Sequence, residues 1–318
     1  MRCIDLFAGA GGFSEGARQA GLEVAWAANH WPLAVEVHER RHAATTHACQ
    51  DLNQADFTSV PEHDILLASP ACQGHSTAGQ GARGLWGLDY SHHDGSRSTA
   101  WAVVTAAEAG RPDWIVVENV PAFRRWQLFE VWSQALQQLG YGIEHGELDA
   151  ADFGVAQNRR RLFLIARRGG APGVLGQLPT PATRSQARES WTGMADILDV
   201  AGGERWAPVA SKSERVRERV ERSRPRCGDT FLTQHVRDHM GRRHAQPLPT
   251  ITCADQMALV RGDEMRPLTI AEYLKGMGLP ADYLSGTSCT RREACRLVGN
   301  AVCPPVAAGI LETIKEVA

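Results

Sequence analysis

The chain has no run of 18 consecutive apolar residues, no Cys-x-x-Cys pair and almost no net charge. The first absence leaves no uninterrupted apolar segment long enough for a membrane-spanning helix. The opening residues, MRCIDLFAGAGGF, lack the basic start, long apolar stretch and small-residue cleavage site of a secretory signal. A cytoplasmic protein with no membrane partner is therefore expected. Eight cysteines (Cys3, Cys49, Cys72, Cys227, Cys253, Cys289, Cys295 and Cys303) are scattered without the spacing of a structural zinc site. In a reducing compartment, one of these thiols could serve as a nucleophile if its setting lowers the thiol pKa or positions its substrate. Lys and Arg number 34 against 36 Asp and Glu, a formal charge of −2, so any nucleic-acid surface must be confined to one region. Gly 31 and Pro 16, with 43% hydrophobic and 22% charged residues, exclude collagenous and wholly disordered chains. What remains is a globular chain of 318 residues, long enough for about two domains.

The first two-thirds alternates short apolar runs with helical spacing. Cys3 to Phe7 reads as a strand entering a glycine-rich turn, and Ser14 to Ala20 as the helix that follows. Glu23 to Ala28, Ile65 to Ala68, Ile115 to Glu118 and Arg161 to Ala166 read as further strands. Leu33 to His42 and Phe129 to Leu139 read as helices, the second stopped by Gly140. This order predicts an α/β fold with a mostly parallel sheet, where ligands sit beyond the carboxyl ends of the strands. Asp5, Asn29, Ser69, Cys72 and Glu118 all fall at or just past such ends.

Composition shifts near Arg168, where GGAPGVLGQLPTPATRS supplies the Gly, Pro and small polar residues of a boundary. From Arg205 to His244 there are 11 basic and five acidic side chains, a local excess of +6. Ser211 to Arg222 could form a helix there. Such charge suits either a solvated helix laced with ion pairs or a surface for phosphates.

Three strand-end segments carry chemistry. The turn Asp5-Leu6-Phe7-Ala8-Gly9-Ala10-Gly11-Gly12 lets the backbone approach a ligand, and the helix start after it exposes N–H groups. It is not the GxGxxG dinucleotide fingerprint. Ser69-Pro70-Ala71-Cys72-Gln73-Gly74-His75-Ser76 puts a thiol just after one strand, and Glu118-Asn119-Val120 puts a carboxylate at the end of another. Gln157-Asn158-Arg159-Arg160-Arg161 brings guanidinium groups to a late strand, where they could grip a ligand or a phosphate. Each alone has a plain structural explanation; together, beside a cofactor-like turn, they point to one site.

In this order, DLFAGAGG, Pro-Ala-Cys-Gln, ENV, QNRRR and finally GNAVCPP at Gly299 to Pro305, the chain resembles the DNA cytosine-5 methyltransferase family over nearly its whole length. The resemblance implies an S-adenosylmethionine-dependent methyltransferase-like sheet with a smaller DNA target-recognition domain. The corresponding division is 1–175 for catalysis and cofactor, 176–296 for target recognition and its hinge, and 297–318 for a segment returning to the catalytic domain. It implies that Phe7, Ala8, Gly9, Gly11, Gly12, Asn29, His30, Asp51, Pro70, Asn300 and Val302 bind S-adenosylmethionine. Cys72 would attack C6 of a flipped cytosine while Glu118 holds the ring at N3 and the exocyclic amine. Arg161 would contact the base O2, Arg159 would position backbone or active loop and touch DNA, and Gln73 and Ser76 would order the loop and its phosphate contacts. Thr250 or Thr252 could contact the flipped nucleotide's backbone, or could be solvent-facing threonines of an ordinary strand.

Three departures from the family pattern stand out. Ala71 replaces the proline usual directly before the nucleophile, removing one ring constraint from the loop. Asn29 and His30 occupy the neighbourhood of a ribose-binding acid and an adenine-packing residue; Asn can still hydrogen-bond a ribose and His can stack. His75 stands at a commonly aromatic position, and nearby His92-His93-Asp94 lacks a third ligand for a metal, so no metal is expected. The implied partner is double-stranded DNA, with a separate cognate restriction endonuclease as a further candidate and a monomer as the expected state. The alternatives are a cytosine-modifying enzyme with an altered donor or an RNA substrate, and a noncatalytic DNA-binding relative.

Overall fold

Near-continuous apolar runs such as Ile65–Ala68 (ILLA) and Trp114–Asn119 (WIVVEN), buried at every residue, form the centre of a sheet covered on both faces. The computed structural model describes residues 1–71, 99–178, 191–202, 205–236 and 239–318. They fall into two units: Met1–Asp149, Arg160–Pro179 and Pro304–Ala318 in the first, Ala150–Arg159 and Thr180–Cys303 in the second.

The first unit carries a seven-stranded sheet in the order β3-β2-β1-β4-β5-β7-β6. Its strands are β1 (Arg2–Leu6), β2 (Glu23–Asn29), β3 (Thr46–Cys49), β4 (Ile65–Ala68), β5 (Trp114–Asn119), β6 (Tyr141–Asp149) and β7 (Arg160–Arg168). Neighbours among β1 to β5 pair in parallel, whereas β7 runs antiparallel between β5 and β6. The crossover helices are α1 (Gly12–Gln19), α2 (Pro32–Arg41), α3 (Trp101–Gly110) and α4 (Phe129–Gln138). Under α4, Phe123 stacks on Trp126 and meets Phe129 and Trp132 edge-on, a wall of apolar rings beside the sheet.

The chain's last helix belongs to the first unit, and a glycine explains how. A Cβ at Gly16 would lie 2.5 Å from that of Ala307 and 2.8 Å from the Pro304 carbonyl oxygen, so only glycine lets α1 press so closely on Pro304–Val317. Lys315 adds a hydrogen bond to the Ala20 carbonyl at 2.7 Å. The helical stretch Arg291–Val317 is long and apolar enough to cross a membrane by composition, yet 78% of its most apolar window is buried, as in a core helix.

The second unit holds a five-stranded antiparallel sheet in the order β10-β9-β11-β12-β8. These strands are β8 (Ala207–Pro208), β9 (Thr230–Gln234), β10 (Arg242–Arg243), β11 (Met257–Arg261) and β12 (Glu264–Pro267). The basic stretch supplies α5 (Glu214–Cys227), which buries Val220 against Phe231 and Val260 and leaves Arg215, Arg217, Arg222 and Arg226 exposed. Helices α6 (Ile270–Gly276) and α7 (Arg291–Asn300) each begin at a threonine in a reciprocal capping box, Thr269 with Glu272 and Thr290 with Glu293. Glu272 also accepts from Arg266 at 2.6 Å and 2.8 Å, and both side chains are almost wholly buried.

Candidate active site

Beyond β1 the backbone turns through left-handed conformations at Phe7 (φ 60°), Gly9 (φ 57°) and Gly11 (φ 95°). The two glycines adopt them at no steric cost; Phe7 adopts one with a side chain attached. Ala8 N–H donates to the Ala28 carbonyl at 3.0 Å and Gly11 N–H to the Ala8 carbonyl at 2.9 Å, tying the turn to β2 and to itself. The turn then delivers the start of α1, with Gly11 as its N-cap and no side-chain cap, so its first N–H groups suit an anionic or hydroxyl-bearing ligand.

At the neighbouring strand end Asn29 is nearly buried, and its side-chain oxygen accepts from Trp31 N–H at 2.9 Å. That bond shapes the entry to α2, where His30 is exposed and Trp31 half-exposed. Past β3, exposed Asp51 caps a short helical turn by accepting from Asn53 N–H at 3.0 Å. Pro70 is buried just past β4, one residue beyond Ser69, whose N–H donates to the Leu6 carbonyl at 3.1 Å. These residues, with the turn, form a rim of backbone donors, one indole, one amide and one carboxylate beyond the carboxyl ends of β1, β2, β3 and β4. Such a set suits an adenosine-like group: ring stacking, hydroxyl recognition and close backbone approach. Among the described residues no group of three or more His, Cys, Asp or Glu has the geometry to hold a metal ion.

At the end of β5, Glu118 is almost buried and pairs with Arg161 of β7, Oε1 to Nε at 3.2 Å. The antiparallel register explains the meeting. Glu118 lies opposite Phe163 and Asn119 opposite Leu162, so the start of β7 comes level with the end of β5. Arg161 also donates to the Arg160 carbonyl at 2.8 Å. Asn119 is buried, donates from Nδ2 to the Pro70 carbonyl at 3.1 Å and accepts from Val120 N–H at 2.8 Å. Ala71 N–H donates to Thr99 Oγ1 at 3.1 Å. The two residues before Cys72 are thus fixed from two directions. Cys72 itself, Gln73, His75, Ser76, His92, His93 and Asp94 lie outside the described residues.

Other expected site residues belong to the second unit. Arg159 is buried there, and its guanidinium donates at 2.9 Å to each of three carbonyls, those of Ile251, Gly299 and Ala301. Gln157 accepts from Ile251 N–H and donates to the Gly276 carbonyl, both at 2.7 Å. A Cβ at Gly299 would lie 2.5 Å from backbone atoms of Thr252 and Cys253. Segment 157–159 therefore clamps 250–253 to the end of α7. Thr250 donates its hydroxyl to the Asn158 carbonyl at 2.8 Å, and the Thr252 hydroxyl faces Ala254 N–H at 3.4 Å. This stretch is irregular rather than a strand, because its backbone groups bond to Gln157 and Arg159 side chains instead of a ladder. Asn300 is exposed with its side-chain oxygen 2.9 Å from the Cys253 thiol, Val302 is buried, and the return to the first unit begins at Pro304.

Sequence reading missed Trp31, Thr99 and the holding role of Asn119. Trp31 carried a signal, an aromatic directly past a strand end. The bond from Asn119 spans 49 residues of chain and had none.

The family model described as C-5 cytosine-specific DNA methylase matches residues 1–316. The Type II methyltransferase M.NlaX of Neisseria lactamica is 27% identical, over 99% of this chain and 96% of its own. The Type II methyltransferase M.HgiDI of Herpetosiphon aurantiacus is 31% identical over 54% of this chain and 53% of its own. Among solved structures, the Schizosaccharomyces pombe Dnmt2 methyltransferase superposes with a TM-score of 0.71 at 18% identity, covering 99% of this chain and 98% of that one.

Proposed function

Because this chain belongs to the C-5 cytosine-specific DNA methylase family, we propose that it transfers a methyl group from S-adenosylmethionine to C5 of a cytosine flipped out of double-stranded DNA. The observation that carries the reading is the Glu118–Arg161 pair at the end of β5, with Asn119 holding the Pro70 carbonyl two residues before Cys72.

Phe7, Ala8, Gly9, Gly11 and Gly12 would hold S-adenosylmethionine through backbone and turn, with Asn29, His30, Trp31 and Asp51 at its adenosine end. When bound, this cofactor supplies an electrophilic methyl group on a sulfonium. Cys72, as its thiolate, forms a bond to C6, pushing the ring electrons toward C5. Glu118 receives the exocyclic amine and manages the proton at N3, so negative charge does not build up on the ring. Arg161, whose Nε faces Glu118 and whose Nη1 donates to the Arg160 carbonyl, is suited to reach O2 of the base with its other donors. C5 would take the methyl group as the sulfonium's S–CH3 bond breaks to leave a neutral thioether; C5 then loses its proton to water, and the electron pair of that C–H bond expels Cys72 as thiolate. The exposed arginines of α5 are suited to phosphates. Arg159, buried and held by three carbonyls, acts as a positioning residue. The Type II names of the relatives support a separate restriction endonuclease as partner.

The test incubates the protein and S-adenosylmethionine with double-stranded DNA of diverse sequence, measures nucleoside mass and maps the product, with Cys72→Ala as control. A wild-type-only gain of one methyl at C5 of a recurrent site is the expected result. Methylation confined to a parallel RNA sample, or binding to DNA with no product, would replace the proposal.

A further inference from the structure

Behind the glycine-rich turn, four polar side chains form a line through an otherwise apolar wall. Asp5 is wholly buried in β1, and its Oδ2 accepts from Ser14 Oγ of α1 at 2.7 Å. The Ser14 oxygen lies 2.9 Å from Nε2 of buried His38 on α2, and His38 Nδ1 lies 2.7 Å from Nε2 of half-buried His47 on β3. With Asp5 charged and both histidines neutral, one proton assignment satisfies all three contacts. His47 donates to His38, His38 to Ser14 and Ser14 to Asp5. With Asp5 protonated, the reverse assignment satisfies them equally well, each histidine having exchanged tautomers.

Several charged or titratable groups face this line. Glu15 and Arg18 come from α1, Glu39, Arg41 and His42 from α2, and Cys3 from β1. Burial pushes Asp5 up to about 7 against the hydrogen bond from Ser14, and Oδ1 has no hydrogen-bond partner. Burial, followed by His42 and His47, keeps His38 well below the usual histidine value. Burial holds His42 near about 4 and lowers His47. Burial also pushes the Cys3 thiol up to about 12. Glu15 stays below the usual carboxylate value, because Arg18 and Gln19 outweigh its burial. Near neutral pH, Asp5 is the member of this group whose charge changes.

We propose that Ser14, His38 and His47 are positioning residues that carry a proton between Asp5 and the surface, and that a sulfonium cofactor bound at the turn expels this proton. The inference rests on the cofactor reading above. A cation near the turn favours the carboxylate over the acid, so binding and deprotonation are linked and the linkage is reciprocal. On expulsion the Asp5 O–H bond breaks and its proton passes to Ser14. The Ser14 proton passes to His38 Nε2, the His38 Nδ1 proton to His47 Nε2, and the His47 Nδ1 proton leaves its hydrogen bond to the Thr45 backbone for water. No electrons are gained or lost.

Titration calorimetry with S-adenosylmethionine, in phosphate and in Tris, separates proton release from binding because the two buffers take up protons with different heats. The wild type is expected to release a fraction of a proton, greatest near pH 7 and falling to either side. S-adenosylhomocysteine, whose thioether is neutral, should release less. Asp5→Asn should bind with the same heat in both buffers. If Asp5→Asn does not fold, His47→Gln carries the comparison, since its half-buried site tolerates an amide that donates to His38 but cannot relay. In stopped flow with a pH indicator, release should accompany binding in the wild type and lag behind it in His47→Gln. Wild-type binding without buffer-dependent heat, undiminished release in Asp5→Asn, or release that keeps pace in His47→Gln would overturn the inference alone. Absence of any S-adenosylmethionine binding would overturn the cofactor reading, and this inference with it.

Discussion

Arg159 and Arg161 stand two residues apart and are used in opposite ways. In the second unit, Arg159 is buried and held by three carbonyl acceptors on two other segments. In the first unit, Arg161 divides its donors between a backbone carbonyl and Glu118 and keeps 17% of its side chain exposed. A buried guanidinium bonded to carbonyls of two other segments fixes structure; a partly exposed one at a strand end, paired to a carboxylate, can change partners when a substrate arrives. Under the proposed function, the contrast gives stability to the first arginine and chemistry to the second, and substitution can test each half.

The largest expected effect is on turnover. Glu118→Gln keeps shape and one acceptor but loses the negative charge and the proton at N3, so kcat/KM should fall roughly 10²- to 10⁴-fold, the usual worth of a general acid or base. Its urea midpoint should move little, because the carboxamide can still accept from Arg161. A large fall in stability with normal turnover would reverse the assignment. Arg159→Ala should do the opposite, leaving three buried carbonyls without donors and costing about 3–5 kcal/mol in urea denaturation. Arg159→Lys should recover only part, because a point ammonium cannot serve three acceptors held in a planar fork.

A smaller effect separates the units by the sign of their pH dependence. Burial pushes Glu272 up, but the hydrogen bonds from Arg266 and from Thr269 N–H more than offset it, leaving the carboxyl below its usual 4.5. Its contribution is therefore present above about pH 4.5 and is lost as the pH falls through the lowered value. Asp5 has a raised value, so its contribution is present below 3.8 and is lost as the pH rises through about 7. In the protein without ligand, Glu272→Gln should remove an acid-side loss of stability, and Asp5→Asn should remove a decline between about pH 4 and pH 7. Melting temperature across that range reads both. The same slope in Asp5→Asn and wild type would show that Asp5 is ionised throughout.

Much of the first unit was legible because its strands are fully covered. Continuous apolar runs at β4 and β5 need no partner information to be recognised, and the glycines that permit positive φ after β1 are visible as residues. Strand β6, YGIEHGELD, carries two glycines and three acidic residues along a sheet edge, so it lacked that signal. Helix α3, WAVVTAAEAG, is small and apolar on most sides and shows weak periodicity. At the site, Glu118 and Arg161 were legible because each ends or begins a strand. The clamp of Arg159 and the line from Asp5 to His47 were not. Their partners lie 92 to 142 residues away in the first case and 9 to 24 in the second, and only the folded chain brings them together.

The smallest expected effect falls on Asn119, which shares features with both arginines. Like Arg159 it is buried and holds a carbonyl; like Arg161 it sits at the end of a strand, next in sequence to Glu118. One neutral hydrogen bond is worth only about 1 kcal/mol, so Asn119→Ala should shift the urea midpoint slightly. The carbonyl it releases is that of Pro70, and Ala71, not a proline, follows before Cys72, which leaves the Thr99 hydroxyl on Ala71 N–H as the remaining side-chain hold on this approach among the described residues. Misplacement of a reacting group by a fraction of an ångström lowers turnover far more than it lowers stability, and kcat should fall roughly 10- to 100-fold. S-adenosylmethionine affinity, which the proposed function assigns to the turn beyond β1, should stay within about twofold. If turnover stays normal while stability falls, Asn119 belongs with Arg159 as a structural clamp, and the Thr99 hydroxyl on Ala71 N–H suffices to place the nucleophile.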